Sequence, residues 1–229
     1  ACYKLAILMT LVTQGFRYAA EPFFFSQSSK KEAPKIYANM TKYFVIFGSI
    51  VFLAVSLFAD LFAQLFLRQA AYWEGLAIVP ILLMAQLFLG IFYNLSVWYK
   101  VTDKTKLGAL IAFIGALVTI IINVLFIPKV GYYASALAAF MCFLTMTVIS
   151  YFWSKKHYPI PFDIKEILKY ISLVCLLFFV SYFVFHKQIG LSSGMQQVVN
   201  GFILIGFLIY VYIDNRVFIK EIAKSKKND

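Results

Sequence analysis

Charge is scarce in this chain, and acid is scarcer still: of 229 residues only 14% are charged, with ten Asp and Glu against 21 Lys and Arg. With 62% hydrophobic and 19% aromatic residues, a soluble domain of this length is excluded, because its surface could not be made polar enough. Chemistry-bearing groupings are missing too. There is no phosphate-cradling glycine loop, no Ser/His/Asp grouping and no Asp-x-Asp pair, so no carrier of catalysis is visible and a non-enzymatic role is expected. Cysteine is rare and odd in number. Cys2, Cys142 and Cys175 lie at or within apolar stretches without metal-like spacing, which predicts packing roles. His157 and His186 have no Cys or carboxylate partner at ligand spacing and read as interfacial side chains. Neither a metal nor a cofactor is expected. The start lacks an initiating Met and the basic, apolar, small-residue order of a secretory signal.

What is present is a series of seven long apolar stretches, 5–25, 43–67, 76–99, 107–127, 132–153, 170–185 and 198–213. The first five meet the length set by about 30 Å of hydrocarbon at about 1.5 Å per residue. The last two are short, and reach full length by borrowing residues such as Ile167 and Met195. The fold class is therefore all-α, a polytopic transmembrane helix bundle of about seven spans.

The excess of basic residues is not an imprint of nucleic acid, because it alternates from loop to loop. Lys30, Lys31, Lys35 and Lys42 fall between spans one and two, and Lys100, Lys104 and Lys106 between three and four. Lys155, Lys156, Lys165 and Lys169 follow span five, and Arg216, Lys220, Lys224, Lys226 and Lys227 form the tail. Of the 21 basic residues only Lys4, Arg17, Arg68, Lys129 and Lys187 lie elsewhere. This positive-inside pattern predicts cytoplasmic basic loops and a cytoplasmic C-terminus. An odd number of spans then puts Ala1 on the outer side, and a preceding N-terminal lobe of the same chain is expected as a partner.

Within the first span, Thr10, Gln14, Arg17 and Glu21 are offset by four, seven and eleven residues and share one helical face. That face should look at protein or a water-filled cavity, since a charge at mid-bilayer depth costs at least about 2.5–3.5 kcal/mol. Pro22 gives no N–H to the Tyr18 carbonyl and loosens the helix beside the charged pair. Gln86, Gly90 and Tyr93 make a milder polar line on the third span.

Most other features predict packing. Gly108, Ala112, Gly115 and Thr119 on the fourth span, and Ala134, Ala138, Met141 and Thr145 on the fifth, suit close helix approach. Asn123, shortly before Pro128, is expected to satisfy carbonyls which that proline frees. Asp60, Arg68 and Glu74 suggest an outer ion network, and Tyr72, Trp73, Trp98, Tyr99, Tyr151 and Trp153 suggest interfacial anchors. In the longest loop Ala33, Ile36, Tyr37 and Met40 recur at helical spacing among lysines, which predicts a short amphipathic helix near 29–41 on anionic membrane lipids.

Four segments together carry a family resemblance. They are FRYAAEPFFF (16–25) with the basic loop after it, YWEGLAIVPILL (72–83), LFLGIFYNLSVWYKVTDKTK (87–106) and NVLFIPKVGYYASALA (123–138). The chain resembles the bacterial polysaccharide flippases, O-antigen type included, of the multidrug/oligosaccharidyl-lipid/polysaccharide exporter superfamily. The resemblance implies a MATE-like exporter's C-terminal half: residues 1–153 as a partial second lobe of five spans, and 154–229 as an extra two-span module with a basic tail. It also implies the bacterial inner membrane, and translocation of an undecaprenyl-diphosphate-linked oligosaccharide by alternating access. In that role Arg17, the only arginine inside a span, would take the diphosphate, and Gln14, Gln86 and Tyr93 the sugar, with Thr10 on the same cavity face. Glu21 has two readings, as the carboxylate for a coupling ion (H⁺ or Na⁺) or as the group that neutralises Arg17 in the empty site. Competing functions are a drug or cation exporter of the same superfamily and a membrane-embedded polysaccharide polymerase or acyltransferase; the latter is disfavoured by the small outer loops.

Overall fold

The computed structural model describes residues 3–66, 75–183 and 193–216, and all the regular structure among them is helical. Nine helices follow in order: α1 (Tyr3–Gln27), α2 (Ala33–Leu57), α3 (Ala59–Phe66), α4 (Val79–Leu95), α5 (Val97–Val101), α6 (Thr105–Val130), α7 (Tyr132–His157), α8 (Ile164–Phe179) and α9 (Ser193–Asp214). Six described helical stretches are long and apolar enough to cross a membrane. The 25-residue α1 is the seventh long helix, and its polar stripe keeps it out of that apolar set. The chain is an all-α polytopic bundle of about seven spans.

Two expected spans are each built of two helices. The second is α2 plus α3, joined at Phe58, whose N–H still donates to the Ala54 carbonyl at 3.2 Å. The third is α4 plus α5, separated only by Ser96, whose N–H reaches the Phe92 carbonyl at 2.8 Å. The two short spans do borrow residues: helix runs over 164–183 and 194–214, so Ile167 and Met195 lie inside them.

The separate amphipathic helix near 29–41 is replaced by the opening turns of α2, which starts at Ala33 with Pro34 in its first turn and runs without a break into the span. Its apolar positions have a protein partner. Tyr37 is fully buried, its ring meets Phe24 edge-on at 5.1 Å, and its hydroxyl donates to the Phe24 carbonyl at 2.9 Å. That carbonyl lies in the last turn of α1, where helix acceptors lack partners.

The chain divides into two compact units after Val174, inside α8. In the first unit α4 is central, packing on α1, α2 and α7, while α6 packs on α7. Gly115 lets α6 approach α7 closely, because a Cβ there would come within 2.7 Å of Met146 Sδ and 3.0 Å of Cys142 Sγ. Gly108 plays the same part against the Tyr99 ring, at 2.6 Å, whereas Ala112 points outward. On α7 the buried positions include Ala134 and Ala138, with Cys142 and Met146 one residue round from the expected Met141 and Thr145. The outer face of α6 bears exposed Leu110, Phe113, Leu117, Ile120 and Val124, as a lipid-facing helix does. In the second unit, Ser181 Oγ donates to Asn200 Oδ1 at 2.6 Å and Gln196 Nε2 to the same oxygen at 3.2 Å, so polar groups in an apolar setting satisfy one another.

Trp98 departs from its expected place at an interface. It is fully buried, its indole N–H donates to Ser150 Oγ at 3.0 Å, and its ring stacks on His157 at 5.7 Å. His157 also meets Lys104 Nζ at 3.1 Å through Nδ1. Asn123 Oδ1 is enclosed with no hydrogen-bond partner among the described residues. Cys2, Arg68, Tyr72, Trp73, Glu74, His186, Lys187 and the lysines of the tail lie outside the described residues, and with them the outer ion network.

Sidedness has a direct test. Cysteines placed at Lys104 or Lys155 should be protected from an impermeant thiol reagent in intact cells, and a cysteine at Lys129 should react. Labelling of the first two from outside would reverse the arrangement.

Candidate functional site

Pro22 sits inside α1, and the polar stripe stays on one face of this continuous helix. Arg17 and Glu21 are a turn apart, with Arg17 Nε 3.6 Å from Glu21 Oε1. Across from them stand α4 and α5. The Arg17 guanidinium lies over the Tyr93 ring, 4.4 Å from its centre, a cation–π placement. Lys100 Nζ makes both a hydrogen bond and an ion pair with the same Glu21 oxygen that Arg17 approaches.

Two cations thus share one carboxylate oxygen, leaving the cluster with one unit of positive charge. The side chains of Arg17, Glu21 and Lys100 are 34%, 31% and 24% exposed, which is partial desolvation. In such a setting ionic hydrogen bonds are worth more than at an open surface. Arg17 Nε is itself enclosed and has no hydrogen-bond partner among the described residues. An enclosed donor on a cation is a group that an anion would satisfy.

The cluster stands between two clefts. One, with about 210 Å³ of open space, is lined by Thr13, Arg17, Glu21, Gly90, Tyr93 and Asn94, with Phe16, Ala20 and Phe24 as its apolar wall. The other, about 180 Å³, is lined by Glu21, Phe24, Phe25, Tyr93, Ser96, Val97 and Lys100. Both are small, narrow clefts that open beside the ion cluster. Asn94 is 3% exposed, donates to the Gly90 carbonyl at 2.9 Å and keeps an unpartnered Oδ1.

Gly90 is required for this geometry. A Cβ there would stand 2.0 Å from the ring tip of Phe44, which is fully buried. Gly90→Ala should therefore lower the melting temperature of the purified protein, through overpacking of about 1–3 kcal/mol. A melting curve identical to wild type would mean that Phe44 has room to yield.

Of the six residues expected at the site, Arg17, Glu21 and Tyr93 come together. Thr10 turns its hydroxyl back to the Ala6 carbonyl at 3.2 Å, and Gln14 is half-buried; neither lines these two clefts. Gln86 is 7% exposed, accepts a hydrogen bond from Thr13 Oγ1 at 3.3 Å through its backbone carbonyl, and also stays outside both linings. Lys100 and Asn94 were not anticipated. The signal for Lys100 was its spacing, since Gln86, Tyr93 and Lys100 are seven residues apart, two turns each, on one face of α4 and its continuation.

Among the described residues no group of His, Cys, Asp or Glu could hold a metal ion. Comparisons with protein-family models, with curated proteins and with solved structures each return no match for this chain.

Proposed function

We propose that the chain is part of an exporter that moves an undecaprenyl-diphosphate-linked oligosaccharide across the bacterial inner membrane, from the cytoplasmic to the outer leaflet. One observation carries this reading: the net positive cluster of Arg17 and Lys100 around Glu21, partly desolvated inside a membrane bundle and bordered by two small clefts. A diphosphate is the anion whose charge and paired oxygens suit a guanidinium and an ammonium on one oxygen. The cluster has a depth that suits the same ligand. Lys100 is close to the end of α5, beside the lysine-bearing 102–106 segment, so the positive-inside expectation would put Glu21 and Lys100 toward the inner leaflet, with Arg17 one turn deeper.

The test is an export assay. In cells lacking the gene, the lipid-linked glycan should accumulate unexported, and the intact gene should restore surface polysaccharide. Normal surface polysaccharide in the deleted strain, with no second exporter present, would overturn the reading.

A further inference from the structure

We infer that Glu21 is a built-in competitor for the anion site: its carboxylate occupies both cations when the site is empty, divides the site into two clefts, and is displaced when a diphosphate binds. This rests on the reading of the cluster as a phosphate receptor. The geometry supports it in three ways. Glu21 and Tyr93 line both clefts, whereas Arg17 lines only the first and Lys100 only the second. The carboxylate is therefore the polar part of the partition between them. Second, a single oxygen, Oε1, faces both cations, so Arg17 and Lys100 lie within the reach of one small anion. Third, Arg17 Nε is enclosed and, among the described residues, unbonded, because 3.6 Å from Oε1 is too long for a hydrogen bond, so Glu21 neutralises the guanidinium without satisfying that donor.

A carboxylate has two oxygens for two cations, and here uses one. A diphosphate offers several, placed to bridge a guanidinium in one cleft and an ammonium in the other. With Glu21 swung aside the two clefts, which also share Phe24 and Tyr93 as walls, would open into one another. Glu21 keeps its place on α1 next to Pro22, where the missing backbone hydrogen bond leaves the helix easier to bend. The consequence is a receptor that is weak by construction. Binding must first give up the Glu21–Lys100 pair, which suits a carrier that has to release its ligand on the far side.

The test is calorimetric binding to the protein in nanodiscs of neutral phosphatidylcholine, with inorganic pyrophosphate and geranyl diphosphate as probes. Glu21→Gln, which removes the competitor and leaves the cations, should bind pyrophosphate about tenfold more tightly than wild type. Arg17→Gln should bind it at least about tenfold less tightly. Glu21→Asp keeps the charge but shortens the reach to Lys100, and should tighten binding by a few-fold; it serves should Glu21→Gln fold poorly. Stronger binding of geranyl diphosphate than of pyrophosphate in all forms would identify a lipid-borne phosphate as the source, and equal binding a free one. If neither Glu21 variant binds more tightly than wild type while Arg17→Gln still binds less, the competitor role is wrong and the phosphate receptor stands. If no form binds either probe, the receptor reading falls and the competitor role with it.

Discussion

Replacing Arg17 with alanine is expected to abolish export of the lipid-linked glycan while leaving the protein at near-normal abundance in the membrane. The second half of this expectation comes from Lys100. Were Arg17 the sole partner of Glu21, its removal would strand a carboxylate inside the bundle, and the protein would be lost to misfolding. Lys100 contacts the same oxygen, so the carboxylate stays neutralised in the variant. The Arg17–Glu21 contact is 3.6 Å long between side chains about one-third exposed, and is worth at most about 1 kcal/mol. Arg17→Lys should retain part of the export, because an ammonium cannot present the planar fork or lie flat on the Tyr93 ring. Tyr93→Phe should be mild and Tyr93→Ala severe, since the ring face supports the guanidinium. Surface glycan and membrane abundance are measured together. If both fall in proportion in Arg17→Ala, the arginine is structural.

The spans were legible because length and hydropathy are local properties, and a bilayer imposes them whatever the neighbours are. Partners are not local. Ala33, Tyr37 and Met40 make the same periodic pattern whether their face meets lipid headgroups or the end of α1, and only the structure shows Tyr37 capping the Phe24 carbonyl. Trp98 is near the end of a span, where an indole often anchors at the interface, but its N–H finds Ser150 on α7, 52 residues away. The small-residue face of α7 was read one residue round from Cys142 and Met146, because a stripe of small residues on a helix fixes a face only to within a fraction of a turn. At the site, the Arg17–Glu21 spacing was visible within α1, but the second cation comes from another helix. Lys100 also counted as one more lysine of a cytoplasmic loop, and charge statistics do not distinguish a solvated lysine from one turned back onto Glu21.

Glu21→Gln is expected to be the most destabilising single change at the cluster. It leaves Arg17 and Lys100 facing one another across the position they shared, with neither fully solvated. The penalty should fall between that of an exposed pair and a fully buried one, about 1–3 kcal/mol, and appear as a lower melting temperature. The double variant Glu21→Gln with Lys100→Met should recover much of the loss, because the repulsion goes with the lysine and only Arg17, lying on Tyr93, remains charged. Lys100→Met alone should cost less than Glu21→Gln alone, since Arg17 is still there to neutralise Glu21. This asymmetry is the signature of two cations on one carboxylate, and a simple pair would make the two single changes equally harmful. The cycle should close with a coupling energy of about 1 kcal/mol or more. Additive effects of the two substitutions would show that Glu21 and Lys100 do not interact in the folded protein. Pyrophosphate should raise the melting temperature of Glu21→Gln more than that of the double variant, since the anion takes the place of the lost carboxylate between two cations in the first and beside only one in the second.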